Sequence, residues 1–523
     1  MLNKIINVLK YLKKYKPSAI EEEFVLLNKK FWSRNNKKYY DDVCLVEGHV
    51  ECPASVIDKA RMAKAVEEAC NARPVVFVRG FNIKGNNVAH IYKSFGIEDF
   101  YLWWRAFFNP LILIPSIIST VKIFTSVKTG DELLKLHYKD VYIGDLLYDT
   151  LIRFKPNSYT VHKINFSYIR LILRAFITFN INEQLIKKYK PKYLITSHNV
   201  YAEFGMFPRQ IRKRMNGVVF LKDIYAYKCY SQKTNIQEHF LKMPMDAFIS
   251  KLADNNYYEE SVEYFNQRMS GNVDQIDVKN AYQNKLAYSI TDLQQLYPGI
   301  DCSKKNVVVM SHAFSDSPHV GEGLLFKDYY DFLEKTLIKL NENSSINCFV
   351  KAHPSSYMWD EKGGVEGLVE KNNLSNVYIM PNDLNTNSIS SLADYIVTAK
   401  GTAGLEFSCL GIPAITAGKG FYYNFGIAAE PDSIKDYYEL LDNISDLKPL
   451  SEDIKKRALV LLYMVSQNRH HSHILPNKHI MPNEDYESLY QEKYKEVIGN
   501  IKKGEVMKDY YYEMVKKDAV KTK

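Results

Sequence analysis

The sequence predicts an α/β protein: two parallel-sheet domains facing each other across a cleft, with a basic helix before them and further helices after them. Three observations carry this. The chain has 523 residues, enough for two large domains at roughly 100–200 residues each. Short β-branched or apolar runs alternate with helical stretches, the pattern of a parallel sheet covered by helices. These runs form two series, joined through a polar stretch at 255–300 that is rich in Asn, Gln and Tyr.

The elements follow in order. Residues 1–42 form a basic amphipathic arm, with ten Lys or Arg against three Glu in the first forty positions. Ile5, Ile6, Val8, Leu9 and Leu12 are interrupted by Lys10, which is not the unbroken apolar core of a secretory signal. Such an arm suits an anionic lipid surface, nucleic acid or an acidic partner, and equally a solvated helix face. The first domain, 43–300, places strands at 43–46, 75–79, 193–196 and 218–221, with helices at 56–71 and 165–188. Within it, 101–124 reads YLWWRAFFNPLILIPSIISTVKIF. The run is broken by Asn109, Pro110 and Pro115, too short for the ~20 apolar residues of a spanning helix. A buried helical hairpin is the expectation, with a surface-bound membrane segment as the alternative, since Trp103, Trp104, Arg105 and Lys122 suit an interface. The second domain, 301–450, opens after the turn cluster YPGIDCSKK. Its strands fall at 307–310, 348–351, 377–380, 395–398 and 414–416, with helices at 325–340, 402–410 and 434–443. Helices from 451 to 523 are expected to pack back across the cleft.

Composition excludes several classes. Hydrophobic residues are 46% and charged residues 25%, the ordinary globular balance, so a disordered or collagen-like chain is out. The seven cysteines are scattered and form no CxxC pair, which excludes a disulfide scaffold, a zinc ribbon and a thioredoxin-like motif. A reducing cytoplasm is the expected compartment.

Ligands of open α/β sheets bind beyond the carboxyl ends of the strands, so chemistry is sought there. In DYIVTAKGTAGLEFSCLGIP (394–413), a strand runs into Gly401-Thr402-Ala403-Gly404 and then a helix. Small residues let a phosphate approach the free N–H groups of a helix start. Thr402 is expected to cap this helix, and Glu406 to lie in its first turn, within reach of a ribose. Lys351-Ala352-His353-Pro354 follows another strand, so His353 can donate to a phosphate oxygen and Lys351 can add charge. The string Ser311-His312-Ala313-Phe314-Ser315-Asp316-Ser317-Pro318-His319 follows a third. Ser311, His312, Asp316 and His319 are read as polar ligands of a sugar or phosphate. His312 and His319 are seven apart with a proline between them, which is not metal-ligand spacing on a helix.

The first domain offers Glu47-Gly48-His49, Ile143-Gly144-Asp145 through Asp149 and Arg153, and Ser197-His198-Asn199-Val200-Tyr201. His198, Asp145 and Glu47, in that order, are the candidates for an acceptor-side general base. Asp145 and Asp149 equally suit a helix cap and an ion pair with Arg153. His470, His471, His473 and His479 read as a solvated loop or a lid rather than a metal site, because no cysteine or paired acid accompanies them. No metal and no cofactor are expected beyond the donor substrate itself.

The order of the Ser-His-x-Phe-x-Asp-x-Pro-His string, Lys-x-His-Pro, Gly-Thr-Ala-Gly-Leu-Glu and Leu-Gly-Ile-Pro resembles bacterial capsule and surface polysaccharide biosynthesis proteins. That group is GT-B glycosyltransferase-like and includes the capsule Kdo transferases. The match covers about 305–425, with fainter similarity at 141–153 and 193–217. The resemblance implies two Rossmann-like domains and a nucleotide-sugar donor held mainly by the second. It implies donor phosphates at His353 and at Gly401–Gly404, and a nucleotide near Glu406. The acceptor would be a glycan or lipid-linked glycan, with no nucleic acid involved. The glutamine-proline motif associated with Kdo transferases is replaced here by Ser317-Pro318. Related alternatives are a teichoic-acid-type transferase using a CDP-polyol, a non-catalytic GT-B-like scaffold, and a sugar-nucleotide epimerase. The implied location is the cytoplasm, peripheral to the inner face of the cell membrane.

Overall fold

A computed structural model describes all residues except 1–11, 33–38, 156–157, 223–225, 274, 360, 362, 469–485 and 504–506. The four histidines between 470 and 479 therefore lie outside the described residues, as do Lys4 and Lys10 of the basic arm. The first domain contains β1 (Asp42–Gly48), β2 (Ala72–Val78), β3 (Phe100–Leu102), a short hairpin of β4 (His137–Tyr138) and β5 (Val141–Tyr142), then β6 (Tyr193–Thr196), β7 (Val218–Lys222) and β8 (Tyr227–Tyr230). Its main sheet has the order β3-β2-β1-β6-β7-β8, parallel except for β8. The second domain contains β9 (Lys305–Met310), β10 (Ile346–Lys351), β11 (Val377–Ile379), β12 (Tyr395–Thr398) and β13 (Ala414–Thr416). These five strands form an all-parallel sheet in the order β11-β10-β9-β12-β13.

The molecule is thus the two-sheet α/β fold the alternating pattern predicts. Both sheets are covered on their two faces by helices. That is why β6, β7, β10 and β12 are buried along their whole length and read as apolar runs without alternation. Two strands of the main sheet escaped the pattern: β3 has three residues, and β8 (YKCY) is the antiparallel edge, with only its two end residues buried.

The chain after 450 returns to both domains. The helix Glu452–Gln467 packs on Met245–Leu252, Asn255–Met269 and Thr402–Ser408. The helix Tyr510–Lys521 lies along Pro53–Cys70 of the first domain. Arg61, fully buried, anchors this last helix. Its Nε donates to the Met507 carbonyl at 3.1 Å, and its guanidinium pairs with Asp58 at 3.4 Å and with Asp509.

Residues 101–124 differ from the expected buried hairpin. A short helix, Trp103–Phe107, is followed by the helix Pro110–Ser126, whose inner face packs on Ile169–Tyr189. Its outer face is open to solvent. The physical reason is that Ile112, Ser116, Thr120 and Ile123 already fill the inner face, leaving Leu111, Ile114, Ile118 and Val121 on the solvent side.

Arg61→Ala removes the cation that Asp58 and Asp509 share at a buried site. We expect a loss of about 3–5 kcal/mol in urea unfolding, with limited proteolysis releasing the 510–521 segment first.

Candidate functional site

The second sheet reverses its winding between β9 and β12, and a crevice opens beyond their carboxyl ends. Three connections leave the sheet there, at 311–319, 351–354 and 399–404. They line a cavity of about 670 Å³ with Ser311, His312, Asp316, Lys351, His353, Gly401, Thr402, Ala403 and Glu406 on its wall. The facing wall comes from the first domain and includes Arg153, His198, Asn199 and Tyr201. The two domains thus share one cavity.

The loop after β9 is held by Glu361. Its carboxylate accepts the N–H groups of Phe314 and Ser315, both at 2.8 Å, and the Ser315 hydroxyl at 2.7 Å. Burial raises the Glu361 pKa above its ordinary value against these bonds. His312 stacks on Tyr329 with ring centroids 4.0 Å apart, and its Nε2 accepts the Lys400 backbone N–H at 3.3 Å. Burial, and then the nearby His353 and Lys400, push its pKa well below the usual range, so it is neutral. Ser317 and Tyr201 sit in the left-handed region, at φ 49° and 56°, and their side chains meet across the cleft. Bulky residues rarely adopt that conformation, and such strain concentrates at ligand sites. Ser311 is buried on the cavity wall, and its hydroxyl has no hydrogen-bond partner among the described residues. A buried polar atom left unpaired costs about 1–3 kcal/mol, which a ligand oxygen would recover.

His353 receives the Ser355 N–H on Nδ1 at 3.2 Å. The neutral ring therefore carries its proton on Nε2. Lys351 donates to the Pro381 carbonyl at 2.7 Å; burial, then Lys285, brings its pKa down to about 8. Lys400 donates to the Val320 carbonyl at 2.7 Å and is likewise pulled down to about 8 by burial, against Asp149 and Asp145. Gly401, not Thr402, is the N-cap, and Thr402 is the first helical residue. A Cβ at Gly401 would stand 3.0 Å from Thr398 Oγ1 and 3.1 Å from the His312 ring, so a side chain there would crowd the turn. Gly404 faces inward against the Tyr422 hydroxyl and does not line the cavity. Glu406 falls in the second turn of its helix rather than the first, and its carboxylate accepts Arg268 Nε at 2.8 Å and a second bond from Arg268 Nη2.

The acceptor-side candidates separate. His198 lines the cavity, its ring edge-on to Phe204 at 5.4 Å. Glu47 does not reach it. Its carboxylate takes Lys59 Nζ at 2.8 Å, the Ser197 hydroxyl at 2.5 Å and the Val50 N–H at 2.7 Å. Burial opposes that charge, but Lys59 and His49 hold its pKa well below the usual range. Asp145 also lies off the main cavity, in a bidentate pair with Arg209 at 2.6 Å. It borders a smaller cavity of about 310 Å³ together with His319 and Lys400.

His319 joins the two domains. Its Nδ1 meets Asp149 Oδ1 at 2.6 Å, its Nε2 meets the Lys327 carbonyl at 3.0 Å, and its backbone N–H donates to Asp149 Oδ2 at 3.2 Å. Two acceptors on one ring call for a doubly protonated imidazolium. Burial disfavours that charge, but Asp149 prevails and raises the pKa above its ordinary value. Asp149 thus pairs with His319, and Asp145 with Arg209, rather than with Arg153, the ion-pair partner weighed for both.

Sequence reasoning passed over Lys400, His239, Arg268 and Glu361. Lys400 directly follows a strand, the same signal that picked out Lys351. His239, whose pKa is drawn down to about 3 by burial and then by Lys400, comes from an irregular segment without a motif.

No family model and no curated protein matches the chain. Among solved structures, KpsC of Thermosulfurimonas dismutans, a beta Kdo 2,4 transferase, is 11% identical at a TM-score of 0.32, covering 52% of this chain and 79% of that one. UDP-GlcNAc 2-epimerase from Neisseria meningitidis bound to UDP-GlcNAc is 9% identical at 0.23, covering 88% and 99%. A glycosyltransferase from Rickettsia africae is 11% identical at 0.25, covering 88% and 100%. These likenesses concern the fold alone, and the functional argument rests on the cavity.

The His319 pair makes stability pH-dependent. A raised folded-state pKa contributes stability that is full below the unfolded value of about 6.5 and is lost as pH rises through the folded value. Relative to His319→Gln, the wild type is expected to lose urea-unfolding stability as pH is raised above about 6.5. Parallel pH profiles for the two proteins would refute it.

Proposed function

We propose that the chain is a glycosyltransferase that moves a sugar from a nucleotide-activated donor to a capsule or other surface-polysaccharide acceptor. The observation that carries this is the cluster of anion-seeking groups on one side of the shared cavity. The unpaired Ser311 hydroxyl, the His353 Nε2–H and the Gly401-Thr402-Ala403 turn all border it, with the Lys351 cation beside them. That set suits the phosphate of a nucleotide sugar. The facing wall, with His198 and Arg153, is where an acceptor hydroxyl would enter.

In this account the acceptor hydroxyl gives its proton to His198 as its oxygen bonds to the anomeric carbon. The bond from that carbon to the donor phosphate oxygen breaks, and the phosphate leaves with the electron pair. His353 and Thr402 donate to it and Lys351 offsets its charge, which is electrostatic stabilisation by groups already in place. Arg268 neutralises Glu406 and shapes the cavity floor. The chemistry needs no metal because these donors supply the stabilisation.

The test is a panel of UDP-, GDP-, CDP- and CMP-linked donors, followed by free nucleotide release with and without a glycan acceptor. Release from one sugar nucleotide, stimulated by acceptor and insensitive to EDTA, is the expected outcome. Turnover of a CDP-polyol would instead make the chain a polyol phosphate transferase, and no binding to any donor would make it a scaffold. With the responsive donor, Ser311→Ala, His353→Ala and Thr402→Val should each weaken affinity. One hydrogen bond to a charged group is worth about 1.5–3 kcal/mol, or about ten- to a hundredfold in Kd by calorimetry. His198→Ala should lower kcat with little change in donor Kd; a fall in donor affinity alone would remove it from the acceptor side.

A further inference from the structure

The outer face of the Pro110–Ser126 helix is an apolar ridge that no other described residue covers. Phe108 is 72% exposed, Leu111 85%, Ile114 57%, Ile118 63% and Val121 58%. Leu111, Ile114, Ile118 and Val121, spaced by three or four, share one face of the helix, and Phe108 lies just before it. The ridge continues through Phe166, 77% exposed, whose ring stacks on Phe124 at 5.3 Å. A row of this size is more than the scattered exposed apolar residues of an ordinary surface.

Its surroundings carry an excess of cations, the nearest acids in sequence being Asp131 and Glu132 just beyond its end. Arg105, Lys122 and Lys128 lie on the ridge segment, and Lys163 and Arg170 on the segment that bears Phe166; all are exposed. Neither 103–130 nor 154–174 contains an Asp or Glu. We propose that this face docks on an anionic lipid surface, with the apolar ridge entering the headgroup boundary and the cations pairing with lipid phosphates. A second copy of the chain is the poorer occupant, because two such faces would bring like charges together. The helix lies flat on the surface: among the described residues no helix is long and apolar enough to cross a membrane. Attachment therefore has its seat in the folded first domain, beyond any contribution of the basic arm.

The experiment is flotation of the full chain with vesicles of phosphatidylcholine alone or with phosphatidylglycerol added. Binding is expected to the mixed vesicles, weakening with salt. Leu111→Glu combined with Ile118→Glu, which keeps the basic arm, should lower partitioning at least about tenfold, since each buried aliphatic side chain contributes substantially. An unchanged melting curve certifies the fold. Ile114→Trp should show fluorescence quenched by brominated acyl chains. Three results would overturn the proposal: no vesicle binding by the wild type, equal binding by the double variant, or a double variant whose only change is conversion of an oligomer to a monomer in light scattering.

Discussion

The cleft depends on how the loop after β9 is tethered. One tether is intradomain: Glu361 collects three hydrogen bonds from Phe314 and Ser315. The other crosses to the first domain, where Asp149 grips both the ring and the backbone of His319. Buried charges are costly unless every partner is supplied, so both carboxylates hold the loop in one geometry. Between these tethers lie Ser317, in its left-handed conformation, and Asp316 on the cavity wall. The loop is thereby both part of the cavity wall and a seam of the two domains.

Charge is distributed unevenly around that seam. On the second-domain wall Lys351 and Lys400 are buried and hydrogen-bonded to carbonyls rather than to carboxylates. Asp149 and Asp145 offset part of the Lys400 charge, and Asp383 part of that of Lys351. Glu406, which the family resemblance puts near a nucleotide, is answered by Arg268 from the connecting helices. The proposed anionic guest would meet these lysines in a water-poor cleft, where electrostatic attraction is strengthened.

Much of the fold was legible because parallel strands buried on both faces leave continuous apolar runs, such as VVVM at 307–310 and YIVT at 395–398. Polar residues directly after those runs marked the cavity wall for the same topological reason. What was not legible depended on distant pairing. Glu47 and Asp145 look like Glu or Asp at strand ends, and nothing nearby in sequence announces Lys59, Ser197 or Arg209 as their partners. Arg268 is 138 residues from Glu406. The open face at 108–121 was half legible: its composition was plain, but which side the helix at 169–189 would cover was not.

The central claim is that the second-domain wall of the shared cavity holds the nucleotide part of the donor. Amide hydrogen exchange of the full chain, with and without the nucleotide that the donor screen selects, tests this most directly. The account predicts protection concentrated at 311–317, 351–355 and 400–404, with smaller effects on the facing residues 198–201. Protection confined to the first domain, or none at saturating nucleotide, would contradict it.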